Sequence, residues 1–153
     1  EILRCLVGSE MCIRDRFNAA FNPEAVVKVT DVLLASHENT AQIIDARPAA
    51  RFNAEVDEPR PGLRRGHIPG ALNVPWTELV REGELKTTDE LDAIFFGRGV
   101  SYDKPIIVSC GSGVTAAVVL LALATLDVPN VKLYDGAWSE WGARADLPVE
   151  PVK

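Results

Sequence analysis

Apolar residues recur along this chain in two rhythms. Residues 41–45, 71–74, 106–108 and 131–134 form short runs bounded by turn residues, apolar and β-branched throughout at 106–108, and these predict strands. Segments of helical spacing lie between them. Asn22-Pro23 supplies an N-cap and a first helical residue, and Val26, Val29, Val32 and Leu33 extend that helix through about Ala35. Thr87-Thr-Asp-Glu90 is a capping-box pattern opening a helix through about Phe96. Residues 114–126 are almost wholly apolar and read as a helix. Asp135-Gly136 turns into a short helix carrying Trp138 and Trp141. Between the first two strands runs a polar loop, residues 46–66, rich in Pro and Arg and ending in the turn Gly66-His-Ile-Pro-Gly70. Loops of this length inside a domain are often functional. Strands alternating with helices predict an α/β domain with a mostly parallel central sheet flanked by helices. Such sheets place their sites beyond the carboxyl ends of the strands. Asp45 and Cys110 both end strands, so the Arg-rich loop is expected to face the Cys110 loop.

Composition narrows the class. The 153 residues fit one domain with a sizeable core, and 47% hydrophobic with 25% charged residues is ordinary for a globular protein. A net charge of −6 without a basic cluster argues against nucleic acid. The longest apolar run, residues 114–126, is shorter than the roughly 20 residues that cross a bilayer. Cys5, Cys12 and Cys110 make no disulfide framework, and a reducing, cytoplasmic setting suits a working thiol. Residues 5–16 resemble translated adapter sequence, so residues 1–16 are taken as a non-native or disordered leader and residues 17–153 as the domain. Cys5 and Cys12 lack a second Cys/His pair that would complete a metal site.

The chemistry gathers at Ile106-Ile-Val-Ser-Cys-Gly-Ser-Gly-Val-Thr115. A cysteine between a strand's carboxyl end and a helix's amino end meets N–H groups that have no intrahelical partner. Those donors and the helix dipole stabilise an anion there. Gly111 and Gly113 let the backbone curl so that several N–H groups converge. The expectation is a nucleophilic cysteine in an anion-binding cradle, against the plainer alternative of a buried structural cysteine at a turn.

Several cysteine chemistries are disfavoured. A cysteine-dependent phosphatase needs Cys-x5-Arg for a bidentate grip on phosphate, and Ala116 stands where the arginine belongs. A cysteine protease needs a histidine base. His37 falls on an exposed helix end, and His67 lies in a turn where a structural hydrogen bond is expected. A dithiol redox centre needs Cys-x-x-Cys, which is absent around Cys110. Sulfur transfer remains, because its nucleophile needs only to be ionised and accessible.

Two further motifs carry a family resemblance. Gly66-His-Ile-Pro-Gly-Ala-Leu-Asn-Val-Pro75 resembles the first signature of the rhodanese family, and Tyr134-Asp-Gly-Ala-Trp-Ser-Glu-Trp141 its second. Cys110-Gly-Ser-Gly-Val-Thr115 is similar to the active loop of the family's tandem-domain mercaptopyruvate sulfurtransferase branch. The resemblance implies a rhodanese-like fold from about Phe17 onward, with Cys110 as sulfur acceptor and no metal or organic cofactor. It implies that Arg51 and Arg60 bind the α-keto-acid carboxylate and carbonyl, a task suited to planar cations. Gly111, Ser112, Gly113, Val114 and Thr115 become the substrate loop, with the Ser112 and Thr115 hydroxyls bonding substrate or capping the helix. Asp45 and Arg47 match an Asp-x-Arg pair that supports the loop, while Arg64 and Arg65 read as solvated loop charge. Neutral Gly111 and Ser112 stand where thiosulfate-preferring members carry basic residues, which favours 3-mercaptopyruvate over the alternative donor thiosulfate. A non-catalytic, partner-binding module is the alternative from another class. The implied partners are 3-mercaptopyruvate, a thiol acceptor such as thioredoxin, or cyanide, and an amino-terminal rhodanese domain that this chain lacks. Trp138 and Trp141 are expected to serve core or edge packing rather than a ligand cage.

Overall fold

The computed structural model describes residues 22–151. Its elements run β1 (Val26–Val27), α1 (Val29–Glu38), β2 (Gln42–Asp45), α2 (Ala49–Phe52), β3 (Leu72–Asn73), β4 (Val80–Arg81), β5 (Glu84–Leu85), α3 (Thr88–Gly97), β6 (Ile106–Ser109), α4 (Ala116–Thr125), β7 (Val131–Tyr134) and α5 (Ala137–Trp141). Single 3-10 turns occupy Pro23–Ala25 and Trp76–Glu78. The main sheet has the order β1-β7-β6-β2-β3 and every pairing in it is parallel. The expected α/β architecture is therefore observed. The reading of residues 1–16, including Cys5 and Cys12, lies outside the described residues.

Helices cover both faces of the sheet, which is why β2 and β6 carry the continuous apolar runs Ile43-Ile44 and Ile106-Ile107-Val108 rather than alternating ones. Ile44, Ile106 and Val108 face one side and meet Leu91, Phe95, Val119 and Leu123 of α3 and α4. Ile43 and Ile107 face the other and meet Val32 of α1 with Trp138 and Trp141 of α5. The two tryptophans are core residues, as expected, and each indole N–H is satisfied: Trp138 by the Arg64 carbonyl at 2.9 Å, Trp141 by the Pro148 carbonyl at 2.8 Å.

Three local expectations need correction. The helix predicted from Asn22 to Ala35 is broken. Asn22 does cap a turn, its Oδ1 accepting from the Glu24 N–H at 3.0 Å, but Val26 and Val27 then pair with Leu133 and Tyr134 as an edge strand. Helix α1 starts only at Val29, where the Lys28 N–H donates to the Asp31 carboxylate at 2.9 Å. β-Branched residues that find a sheet edge take it over a helix. The loop 46–66 contains α2, one turn anchored by Phe52, whose ring stacks on His67 with centroids 3.7 Å apart. Helix α4 begins at Ala116, two residues after the predicted start, because Gly113 (φ +85°) curls the chain before it. A small β4–β5 hairpin, absent from the strand pattern above, lies between β3 and α3, and Glu82 and Gly83 at its tip both adopt positive φ. The capping box at Thr87 is present with both reciprocal bonds, and α3 follows it.

Candidate active site

Asp45 and Ser109 are register partners at the carboxyl edge of the sheet, so the chain leaving β2 and the chain leaving β6 emerge side by side. Cys110 follows Ser109 directly. Its Sγ accepts the Gly113 N–H at 3.1 Å, the one cradle bond drawn to sulfur in this conformation. A side chain at Gly113 would be strained by its positive φ and would meet Asp135 Oδ1 at 2.7 Å, so the curl requires glycine. From the opposite side, the first turn of α5 holds the loop carbonyls. The Trp138 N–H donates to the Cys110 carbonyl at 2.9 Å, and the Ser139 N–H to the Gly111 carbonyl at 3.0 Å.

The neighbouring loop is built on Arg47, which is 1% exposed. Its Nε donates to both oxygens of Asp45 (3.1 and 3.0 Å) and its Nη2 to Asp45 Oδ2 (2.6 Å) and the Gly66 carbonyl (2.7 Å). Nη1 reaches Glu58 Oε1 at 2.8 Å, and the guanidinium lies 4.4 Å from the Trp138 ring centroid. The Asp-x-Arg pair is thus the buried strut between β2, the Arg-rich loop and α5. Glu58 passes the connection to Arg51, whose Nε bonds Oε1 at 3.2 Å and whose Nη2 bonds Oε2. Arg51 lies against Gly111 so closely that a Cβ there would sit 2.8 Å from its Nη2.

Arg60 is exposed, and its Nη1 donates to Ser139 Oγ at 3.0 Å; Ser139 Oγ in turn donates to the Gly111 carbonyl at 2.6 Å. A cleft of about 200 Å³ is lined by Arg51, Glu58, Arg60, Gly111, Ser112 and Thr115, with Pro59, Leu63 and Ser139 completing the wall. Thr115 precedes α4 but makes no capping bond with its side chain. The structure therefore gathers Arg51, Arg60, Gly111, Ser112 and Thr115 around one space. Gly113 and Val114 stand differently: Gly113 is buried behind the loop and Val114 is exposed beside it. Cys110 is only 1% exposed and does not itself line the cleft, so the accessible cysteine expected from the sequence is instead a buried one, next in the chain to Gly111 of the cleft wall.

Two residues gain roles that the sequence alone did not assign. Glu58 was visible only as part of Glu58-Pro59-Arg60, and Ser139 only as part of the second signature. The reading of Arg64 is corrected. It is part-buried and donates to the carbonyls of Trp141, Gly142, Arg144 and Leu147, tying down the end of α5. Arg65 is exposed and pairs with Asp57, as solvated charge does. His67 makes the expected structural bond, Nδ1 lying 2.8 Å from the Phe52 carbonyl. Among the described residues no cluster of three or more His, Cys, Asp or Glu gathers to hold a metal, and no helix is long and apolar enough to cross a membrane.

Comparison with known proteins decides the family, since the rhodanese-like domain model matches residues 28–144. The chain belongs to the rhodanese family. This rhodanese domain is 99% identical over 137 residues to 3-mercaptopyruvate sulfurtransferase of Escherichia coli O157:H7, covering 90% of this chain and 49% of that protein. It is 41% identical over 130 residues to 3-mercaptopyruvate sulfurtransferase of Rattus norvegicus, covering 84% of this chain and 44% of that one. The crystal structure of SseA from Escherichia coli, a 3-mercaptopyruvate sulfotransferase, superimposes with a TM-score of 0.70 at 96% identity, over 82% of this chain and 46% of that chain. The rhodanese domain thus spans about half the length of the curated relatives it matches.

Proposed function

We propose that this rhodanese domain is the catalytic part of a 3-mercaptopyruvate sulfurtransferase, with residues 17–153 as the domain and residues 1–16 outside it. One observation carries the reading: the Cys110 loop, Arg51 and Arg60 converge on a single cleft at the carboxyl edge of the sheet. The relatives' length and the near-identity to the Escherichia coli enzyme support an amino-terminal rhodanese domain beside this one in the working protein.

In the proposed reaction the donor's carboxylate and ketone are held by Arg51 and Arg60, whose planar guanidinium groups match adjacent acceptors. The Ser112 and Thr115 hydroxyls hydrogen-bond the donor. The Cys110 thiolate attacks the donor sulfur, forming the S–S bond while the C–S bond breaks. The released electron pair forms the enolate of pyruvate, which takes a proton and leaves. Cys110 is left as a persulfide, its charge held by the N–H groups of residues 111–115 as the Gly113 N–H already holds the sulfur. An acceptor thiolate, such as that of thioredoxin, or cyanide then takes the outer sulfur and regenerates the Cys110 thiolate. Neutral Gly111 and Ser112 support mercaptopyruvate over dianionic thiosulfate as donor, and a reducing cytoplasm suits the free thiol.

Intact-protein mass spectrometry after incubation with mercaptopyruvate, and separately with thiosulfate, tests this. One added sulfur mapped to Cys110 from mercaptopyruvate, and none in Cys110→Ser, is the expected result. Sulfur from thiosulfate alone moves the assignment to a thiosulfate sulfurtransferase. No added sulfur on a folded chain, supplied with its amino-terminal partner domain, defeats the catalytic reading.

A further inference from the structure

The cleft holds two arginines that face solvent or substrate, and one buried carboxylate that faces neither. Glu58 is buried, with its side chain 1% exposed, yet it lies at the cleft wall. Both of its oxygens are engaged by arginines: Oε1 takes Arg47 Nη1 at 2.8 Å and Arg51 Nε at 3.2 Å, and Oε2 takes Arg51 Nη2. Arg47 needs little of this charge, because Asp45 already faces it through three bonds. Glu58 is therefore the counter-ion of Arg51. It grips the guanidinium along the Nε–Nη2 edge, which leaves Nη1 without a protein acceptor among the described residues. The same grip presses Arg51 on Gly111, where no side chain intervenes.

We propose that Glu58 is a positioning and charge-setting residue for the donor site. It aims the free edge of Arg51 into the cleft and cancels that arginine's charge, so the cleft presents one net positive charge, that of Arg60, rather than two. A monoanionic donor matches that field better than a dianion does. The choice of donor rests on the sulfurtransferase reading above; the charge itself does not.

The probe is alkylation of Cys110, followed by peptide mapping, with the anion iodoacetate and with neutral iodoacetamide. Both reagents put a thioether on the same sulfur and release iodide, so the ratio of their rates reports the field at Cys110. Glu58→Gln keeps the side chain's shape and one acceptor but removes its charge. The iodoacetate-to-iodoacetamide ratio is expected to rise about three- to tenfold, the scale of one added unit charge at a half-buried site. Glu58→Asp, which keeps the charge, is expected to return the ratio towards the parent value, and in turnover Glu58→Gln should change KM for mercaptopyruvate more than kcat. A merely structural role slows both reagents together and leaves the ratio unmoved, and that result overturns the proposal. Should Glu58→Gln fail to fold, Arg51→Leu decides: the ratio must fall below the parent value, and an unchanged ratio overturns it. A shifted ratio in a chain that takes no sulfur from mercaptopyruvate keeps the charge assignment and removes the sulfurtransferase reading.

Discussion

Replacing Arg47 by methionine tests whether the strut beneath the site is as central as its contacts indicate. The substitution keeps an unbranched side chain over Trp138 but deletes every guanidinium bond. Asp45, 4% exposed, would keep only the backbone N–H of residue 47, now 2.9 Å from its Oδ1. Glu58 would keep Arg51, and the Gly66 carbonyl would lose its donor. Removing one partner of a buried ion pair and stranding the other costs about 3–5 kcal/mol. That is a large share of the about 5–15 kcal/mol that holds a typical domain folded. For a domain of this size each kcal/mol moves Tm by roughly 3–5 °C, so a fall of about 10–20 °C is expected. Urea denaturation measures the free energy directly, provided the m-value is unchanged. Arg47→Lys should lie in between, since it keeps the charge but loses the planar fork. Asp45→Asn combined with Arg47→Met should recover part of the loss, because the stranded charge is gone. A loss below about 1 kcal/mol in Arg47→Met at constant m refutes the assignment of Arg47 as a structural centre.

Two further outcomes follow from local geometry. Gly66 has φ +115°, and a Cβ there would overlap the Glu150 carbonyl oxygen and lie 2.6 Å from Val149 Cγ1. Gly66→Ala should therefore cost about 2 kcal/mol or more, whereas Gly62→Ala, at φ +83° with nothing within 4 Å, should cost only the conformational strain of about 1 kcal/mol. Equal losses in urea melts of the two variants contradict the overlap. Burial, and then the hydrogen bond to Glu140 at 2.7 Å, push the Tyr134 phenol well above its ordinary value. Below about pH 10 folded and unfolded chains both keep this proton, and above it the unfolded chain releases the proton first, so stability falls as pH rises. Tyr134→Phe should flatten that alkaline decline in denaturation series from pH 7 upward, leaving the share of Tyr102, which is raised by burial and by Asp92. An unchanged alkaline slope rules out this role for Tyr134.

Much of the sheet was legible because its strands are buried on both faces. Ile43-Ile44 and Ile106-Ile107-Val108 are apolar and β-branched at every position, and runs so short between turn residues suit a strand buried on both faces better than a helix. The edge was less legible. Val26 and Val27 sit at spacings that suit a helix equally well, and only the presence of β7 beside them selects a strand. The loop 46–66 hid α2 for a related reason, since Phe52 becomes an anchor only when His67 folds back over it.

The division within the site has the same origin. By itself the sequence determined a cysteine between strand and helix in a glycine-bearing loop, because strand, turn and helix signals are local and contiguous there. It also marked Arg51 and Arg60 through their resemblance to a family pattern. Tertiary structure alone decided which charges compensate which. Arg47, Arg51, Arg60, Arg64 and Arg65 look alike along one polar loop, yet one is a buried strut, one is held by Glu58, one leans on Ser139, one ties down α5 and one is solvated. Their partners lie as far as 83 residues away in the chain. Charge pairing acts through space and burial rather than along sequence, so the loop's composition could announce a cationic region but could not say which cation would remain free to meet a substrate.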